Sequence, residues 1–203
     1  MSRGNGACPP GSFAVKSDMQ RERHLETEQS IYCLRLPRLL LEQITADLVR
    51  PHGLVRERVG FLFMRRAKAA SPTALLLPVD YVPVADADYI QPHDPRVASE
   101  ITSDAICAVM QRVFSKSEGV LHVHLHAHRG IPHLSLVDRT SIPELVQAAQ
   151  HAQPAQPHGA LLLSETSVQA AIWQPRVQQL LPVHRISVVG YPMGFYRGGR
   201  DVW

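Results

Sequence analysis

The chain has few cysteines for its length: Cys8, Cys33 and Cys107 are the only three among 203 residues. Their number is odd and their spacing is wide, so the sequence contains neither a disulfide framework nor a Cys-x-x-Cys zinc motif. Because the cytoplasm keeps thiols reduced, this cysteine usage favours a cytoplasmic protein. No feature of the sequence marks any of the three as an activated nucleophile.

Long apolar runs, aromatic side chains and clusters of like charge are also scarce. No run reaches the roughly 18 apolar residues that a membrane-spanning helix needs. Aromatic residues make up 6% of the chain, and the net charge of +3 arises from scattered lysines and arginines. Base-stacking platforms and the basic surface of a nucleic-acid-binding protein are therefore not expected. We predict no membrane or nucleic-acid partner, and a mobile polar leader over residues 1–29.

Hydrophobic residues, in contrast, make up 45% of the chain, which is enough for the core of one ordinary domain. Their spacing predicts strand, helix, strands, helix, strand, helix and strands in that order. This order indicates a single α/β (α+β) domain over residues 30–192, with a mixed central β-sheet flanked by helices. Residues 193–203 are predicted to form a C-terminal tail.

The main predicted elements that precede the histidine-rich segment are bounded by prolines, glycines and charged turns. They are a strand at 31–36, a helix from Pro37 to before Pro51, a strand at 59–64, a basic turn at 65–68, a bent strand or strand pair at 73–84, and a helix at 97–114.

The most informative feature is a group of five histidines within 12 residues: His122, His124, His126, His128 and His133. In a strand beginning at Val120, alternation places the first four on one face. Two imidazoles and a carboxylate form a three-ligand set for zinc that leaves one position open for water. Adventitious metal binding is the plainer alternative, but the tract is interleaved with apolar strand residues and followed by turn and helix signals.

A hydrolytic zinc site also needs a base, usually a carboxylate that is not itself a ligand. Glu57 meets this need, since it directly precedes the apolar strand predicted at 59–64. Gly60 follows it and would allow a close approach of the backbone beside the site. The simpler interpretation of Glu57 is a solvated carboxylate at a strand edge.

Three short motifs, taken together, resemble the JAMM/MPN+ (JAB domain) zinc metalloprotease family, in its bacterial deubiquitinase-like type. They are Glu57-x-x-Gly60-x-Leu62, His126-x-His128 and Ser135-x-x-Asp138. The resemblance implies a single MPN/JAB-like domain with the cytidine-deaminase-like fold. It also implies a zinc-dependent isopeptidase or peptidase that cleaves after the C-terminus of ubiquitin or a ubiquitin-like protein.

The resemblance assigns roles to residues of this chain. His126, His128 and Asp138 would hold zinc, and Glu57 would transfer a proton from water to the leaving amine. Ser135 would help to stabilise the oxyanion of the tetrahedral intermediate. The simpler interpretation of Ser135 and Asp138 is a helix N-cap, and Asp138 can serve both purposes.

The spacing leaves the zinc-binding pair open. The family usually has seven residues between the second histidine and the serine, whereas this chain has six after His128 and eight after His126. The pair is therefore His126 and His128 with a deletion, or His124 and His126 with an insertion. The first pair is preferred because Ala127 is small and Gly130 follows at a turn. Of the remaining histidines, His122 is expected to be a packed or hydrogen-bonded strand residue. His133 lies in the loop, and it either borders the substrate groove or is a plain surface residue.

The resemblance further implies a ubiquitin-like partner or its conjugates, and activating and conjugating enzymes of the same pathway. By analogy alone, this pathway serves antiviral defence. Two alternatives remain: a catalytically inactive MPN-like scaffold, and a metallohydrolase acting on the tail of a sulfur-carrier protein.

Overall fold

The computed structural model describes residues 31–69 and 73–199, so the leader predicted at 1–29 lies outside the described residues. The described part forms one α/β (α+β) unit, as its sequence predicts. Its elements are β1 (Ile31–Pro37), α1 (Arg38–Leu48), β2 (Val59–Lys68), β3 (Thr73–Pro83), α2 (Ser103–Lys116), β4 (Gly119–Leu125), α3 (Asp138–Ala152), β5 (Gly159–Leu163), β6 (Val168–Gln174), β7 (Gln179–Pro182), β8 (Arg185–Val189) and β9 (Gly194–Arg197).

All these strands belong to one mixed sheet, in the order β7-β6-β5-β4-β2-β3-β1-β8-β9. Strand β1 runs parallel to β3 and β8, and β4 runs parallel to β5, whereas the other neighbours are antiparallel. The histidine strand β4 therefore lies inside the sheet, between β2 and β5. Such a position satisfies its backbone on both sides and holds its side chains in a fixed register.

The helices cover the two faces of this sheet. Residues of α1 pack with Leu121 and Val123 of β4 in one core cluster. Residues of α2 pack with Val120 in a second cluster, and residues of α3 join β5 and β6 in a third. Because successive side chains of a strand point to opposite faces, the even-numbered residues of β4 face α2 and α3. His122 and His124 share that face.

Several boundaries differ from the sequence prediction. Helix α2 begins at Ser103 rather than Val97, because the Thr102 side chain accepts a hydrogen bond from the backbone N–H of Ala105 and caps the helix there. The basic residues 65–68 do not form a turn, since they extend β2 and pair with β3. Strand β7, at Gln179–Pro182, has no counterpart in the prediction.

The predicted C-terminal tail is also corrected. Gly194–Arg197 forms β9, which pairs antiparallel with β8 through Ile186 and Tyr196. The sheet therefore extends beyond the predicted domain end at residue 192. A short segment rich in glycine and arginine gives little local strand signal, and only the neighbouring edge of β8 determines that it pairs.

Candidate metal centre

The histidine tract leaves the sheet partway along its length. Strand β4 ends at Leu125, and the His126 N–H donates to the Leu163 carbonyl at 2.9 Å, which adds one last ladder hydrogen bond. The His128 N–H then donates to the His126 carbonyl at 2.8 Å and turns the chain. The prediction that four alternating histidines lie on one strand face is thus wrong for His126 and His128, which follow the end of β4, because the pairing strand β5 ends at Leu163.

The register of β2 against β4 brings Glu57 to the histidines. Val59 pairs with His124 in an antiparallel ladder, so the chain two residues before Val59 lies beside His126. Glu57, His124 and His126 each bring one ligand atom to a group in which these atoms lie within 4.8 Å of one another. A carboxylate from a distant segment and two histidines therefore converge, and the role of Glu57 as the base stays a prediction.

The spacing of the two imidazoles suits a shared metal ion. Nε2 of His124 and Nε2 of His126 lie 2.9 Å apart. Two nitrogen ligands at the usual zinc distance of about 2.0–2.1 Å and in tetrahedral geometry would lie roughly 3.3 Å apart. The two nitrogens thus already face one point, and the group of Glu57, His124 and His126 could hold a metal ion.

The segment before β2 holds Glu57 in place. The Glu57 N–H donates to the Ala98 carbonyl at 3.3 Å, and the N–H of Arg56 donates to the same carbonyl at 2.9 Å. Glu57 is half-buried. Burial is the main cause of its raised pKa, followed by the nearby Asp138 carboxylate, whereas Arg56 and His128 oppose the shift. Such a raised pKa favours a carboxylate that accepts and returns a proton.

The two residues that follow Glu57 make contacts that fix the start of β2. The Tyr89 hydroxyl accepts from the Val59 N–H at 2.9 Å and lies 3.1 Å from the Val59 carbonyl, to which it donates. The buried Arg58 forms an ion pair with Asp86. These partners lie about 30 residues away in the chain, so no local signal in the sequence identifies them.

Gly60 is required in this segment for a steric reason. A Cβ atom at Gly60 would lie 2.3 Å from the hydroxyl oxygen of Tyr81. The close approach expected at Gly60 is therefore made by the side chain of Tyr81, and not by a neighbouring backbone. Tyr81 in turn donates a hydrogen bond to Asp47 of α1 at 2.7 Å.

Ser135 and Asp138 form a reciprocal cap at the start of α3. The Ser135 N–H donates to Oδ2 of Asp138 at 2.9 Å, and the Asp138 N–H donates to Oγ of Ser135 at 3.1 Å. This is a capping-box arrangement, with an aspartate in the third position. The same Oδ2 atom lies 3.7 Å from Nε2 of His124. The helix-cap interpretation of Ser135 and Asp138 therefore agrees with the structure, whereas a metal-binding role for Asp138 stays a prediction.

His128 lies apart from the converging atoms. Its side chain is exposed, and its Nδ1 atom lies 3.0 Å from the carbonyl oxygen of Arg129. Its ring centroid is 5.8 Å from that of His126. The arrangement therefore favours His124 and His126 over the preferred pair of His126 and His128, and the identity of the metal-binding pair stays a prediction.

Burial keeps the converging imidazoles neutral. It is the main cause of the lowered pKa of His126 and of the strongly lowered pKa of His124. Burial also lowers the pKa of His122, to about 4, although the Asp138 carboxylate opposes this shift. Metal ions bind the neutral form of imidazole, so both ligand candidates are in the binding-competent state near pH 7.

Comparison with known proteins gives no assignment: no protein-family model matches the chain. No curated protein matches it significantly either. Within residues 31–69 and 73–199, no helix is long and apolar enough to cross a membrane. The resemblance to the JAMM/MPN+ family therefore rests on the residues of the site itself.

Proposed function

We propose that the protein is a zinc-dependent isopeptidase or peptidase that cleaves after the C-terminus of ubiquitin or a ubiquitin-like protein. The reaction would either release that protein from a conjugate or process its precursor. The observation that supports this proposal is the convergence of Glu57, His124 and His126 within 4.8 Å. Two imidazoles with a nearby aspartate and a separate glutamate are a donor set suited to metal-assisted hydrolysis.

In this proposal zinc is held by His124, His126 and Asp138. The carboxylate of Asp138 is the third candidate because its Oδ2 atom lies 3.7 Å from Nε2 of His124, although Asp138 is not in the group of Glu57, His124 and His126 that already converges. When bound, zinc supplies Lewis-acid polarisation of the amide carbonyl and lowers the pKa of water towards about 7. The capping hydrogen bonds of Ser135 would orient the carboxylate, as outer hydrogen bonds commonly do in metal sites.

Glu57 acts as the general base and then as the general acid. Its carboxylate takes a proton from the attacking water and gives a proton to the nitrogen of the leaving amine. Water oxygen becomes bonded to the carbonyl carbon, the C–N bond breaks, and a carboxylate and an amine are the products. Ser135 is exposed beside Asp138, and its hydroxyl would donate to the oxyanion that forms during the attack.

The proposed partners follow from the family resemblance. They are a ubiquitin-like protein or its conjugates, together with activating and conjugating enzymes of the same bacterial pathway. The analogy places this pathway in antiviral defence. Recognition of these partners is separate from the chemistry of the site. Zinc binding at the site and cleavage of ubiquitin-like substrates are therefore tested by different experiments.

The first experiment measures zinc affinity of the purified chain by competition with a coloured chelator. We expect one zinc per chain, and an affinity at least about 100-fold weaker in His124→Ala, since loss of a ligand exceeds the 10- to 100-fold effect of outer-shell changes. His128→Ala is the matched control and should bind zinc nearly as wild type does. A larger loss in His128→Ala than in His124→Ala would return the assignment to the pair preferred from the sequence.

The second experiment measures cleavage. A panel of ubiquitin-like proteins, each with a C-terminal peptide extension, is incubated with the zinc-loaded protein and analysed by mass spectrometry. We expect one cut at the junction for a cognate member, loss of cutting with a chelator, and recovery with added zinc. Zinc binding without cleavage of any member would favour the inactive scaffold.

A further inference from the structure

A half-enclosed cavity of about 150 Å³ adjoins the metal centre on the face of the sheet that α2 and α3 cover. Five of its eight lining residues are aliphatic, and the other three are Ser99, His122 and Ser141. The catalytic scheme above does not use any of these residues. The cavity is therefore a separate feature of the site region.

Several residues of the cavity wall are neighbours of the candidate metal centre, although no residue of that centre lines the cavity itself. The ring of His122 lies 5.3 Å, centroid to centroid, from that of His124. Val59 pairs with His124 across the strands. Ser99 directly follows Ala98, whose carbonyl accepts a hydrogen bond from the Glu57 N–H. Ser141 lies one helical turn after Asp138. A group that enters the cavity would thus lie beside a bond held at the metal centre.

Two polar atoms in this wall need a hydrogen-bond partner. Oγ of Ser99 and Nδ1 of His122 are both buried, and neither has a partner among the described residues. The third polar side chain differs, because the Ser141 hydroxyl donates to the Val137 carbonyl at 3.0 Å. Native proteins rarely leave buried polar atoms unsatisfied, so these two atoms are available to form a hydrogen bond with water or with a polar ligand.

The lining also limits the charge and size of that partner. None of the eight lining residues is an Asp, Glu, Lys or Arg, so a charged group would lose its hydration without gaining a counter-charge. An apolar cavity of about 150 Å³ is known to hold a molecule as large as benzene. A carboxamide is uncharged, smaller than this limit, and both donates and accepts hydrogen bonds, so it can serve both wall atoms.

We propose that this cavity is a specificity subsite that binds a carboxamide side chain, glutamine or asparagine, of the substrate next to the scissile bond. The claim that this carboxamide belongs to a substrate chain rests on the proposed function. The binding of a carboxamide to the cavity does not, because it needs neither zinc nor turnover.

The test uses propionamide, which matches the glutamine side chain, and propionate, which matches glutamate. Each is titrated into the full chain carrying ¹⁵N-labelled histidine, and the ring resonances of His122 are followed by NMR. We expect a saturable shift with propionamide and at least tenfold weaker binding of propionate. Ser99→Leu places a side chain in the cavity and should weaken propionamide binding at least tenfold. Ser103→Leu, at an exposed position of α2, is the matched control and should bind as wild type does.

Ser99→Ala keeps the cavity open and should weaken propionamide binding by about 2- to 12-fold, as expected for one lost hydrogen bond. This variant keeps the proposal testable if Ser99→Leu fails to fold. Absence of a saturable shift, equal binding of propionate, or unchanged binding in both Ser99 variants would overturn the subsite. Propionamide binding in a protein that never cleaves would support the subsite and count against the proposed function alone.

Discussion

Two buried histidines, one in β4 and one next to it, differ in how fully the hydrogen-bonding capacity of their ring nitrogens is satisfied. His158 is fully buried, its Nδ1 accepts from the Val120 N–H at 3.3 Å, and its Nε2 lies 2.8 Å from the Gln153 carbonyl. His124 is 2% exposed, its Nε2 faces Nε2 of His126, and its Nδ1 has no partner among the described residues. Equal burial thus accompanies two different hydrogen-bonding states.

The difference separates a structural histidine from a ligand candidate. The two hydrogen bonds of His158 fix its neutral tautomer, with the proton on Nε2, and complete it without any further partner. The Nε2 of His124 lies 2.9 Å from Nε2 of His126, and either an N–H···N hydrogen bond or a metal ion between the two nitrogens would satisfy both rings. The number of hydrogen bonds that each ring makes, rather than its burial, therefore distinguishes His158 from the candidate ligand His124.

The largest expected effect concerns the base opposite His124. Glu57→Gln should lower the rate of zinc-dependent cleavage by about 10²- to 10⁴-fold, because general acid–base catalysis contributes that much. Steady-state kinetics on a cognate extended substrate measures it, with zinc content determined on the same sample. If Glu57→Gln loses its zinc instead, Glu57 is a ligand. If it keeps full activity, the assignment of Glu57 as the base is wrong.

The next prediction compares how much zinc stabilises variants of His124 and of His158 against unfolding. Free zinc at 100 times its dissociation constant should raise the free energy of unfolding by about 2.7 kcal/mol. His158→Gln should keep this increment, whereas His124→Ala should lose it. Urea denaturation with and without zinc measures the increment. An equal loss in both variants would remove the distinction between the two histidines.

A smaller effect concerns the structural role of His158. His158→Ala should lower the free energy of unfolding by about 1–3 kcal/mol without zinc, because the Val120 N–H and the Gln153 carbonyl lose their buried partner. His184→Ala is the control at an exposed position and should change it by no more than about 0.5 kcal/mol. A loss below that limit in His158→Ala would show that water replaces the ring.

The smallest effect is a dependence on pH. Burial lowers the pKa of His158, and its hydrogen bond to Gln153 only partly opposes this shift. The unfolded chain therefore takes up a proton first, as the pH falls below about 6.5. The stability that His158 contributes is present above that pH and decreases as the pH approaches its lower folded-state pKa. Denaturation of metal-free protein between pH 7.5 and about pH 5 should show a flatter slope for His158→Gln than for wild type.

Local patterns gave a large part of the fold. Alternation located β1 and β4, and helical spacing located α1, because these elements bury regular stripes of apolar residues. The three-residue spacing of Ser135 and Asp138 allowed a helix cap to be recognised in advance. Strand β9 and the length of β2 were not recognised, because their pairing depends on neighbouring strands.

The sequence by itself determined that His122 and His124 share one face of β4, since alternation in a strand is a local property. It also determined that Asp138 begins α3. Only the tertiary structure decided which imidazoles converge, because β5 ends at Leu163 and releases the chain after His126. The approach of Glu57 likewise depends on the register of Val59 against His124. Such registers join segments about 65 residues apart, and the packing of the whole sheet fixes them.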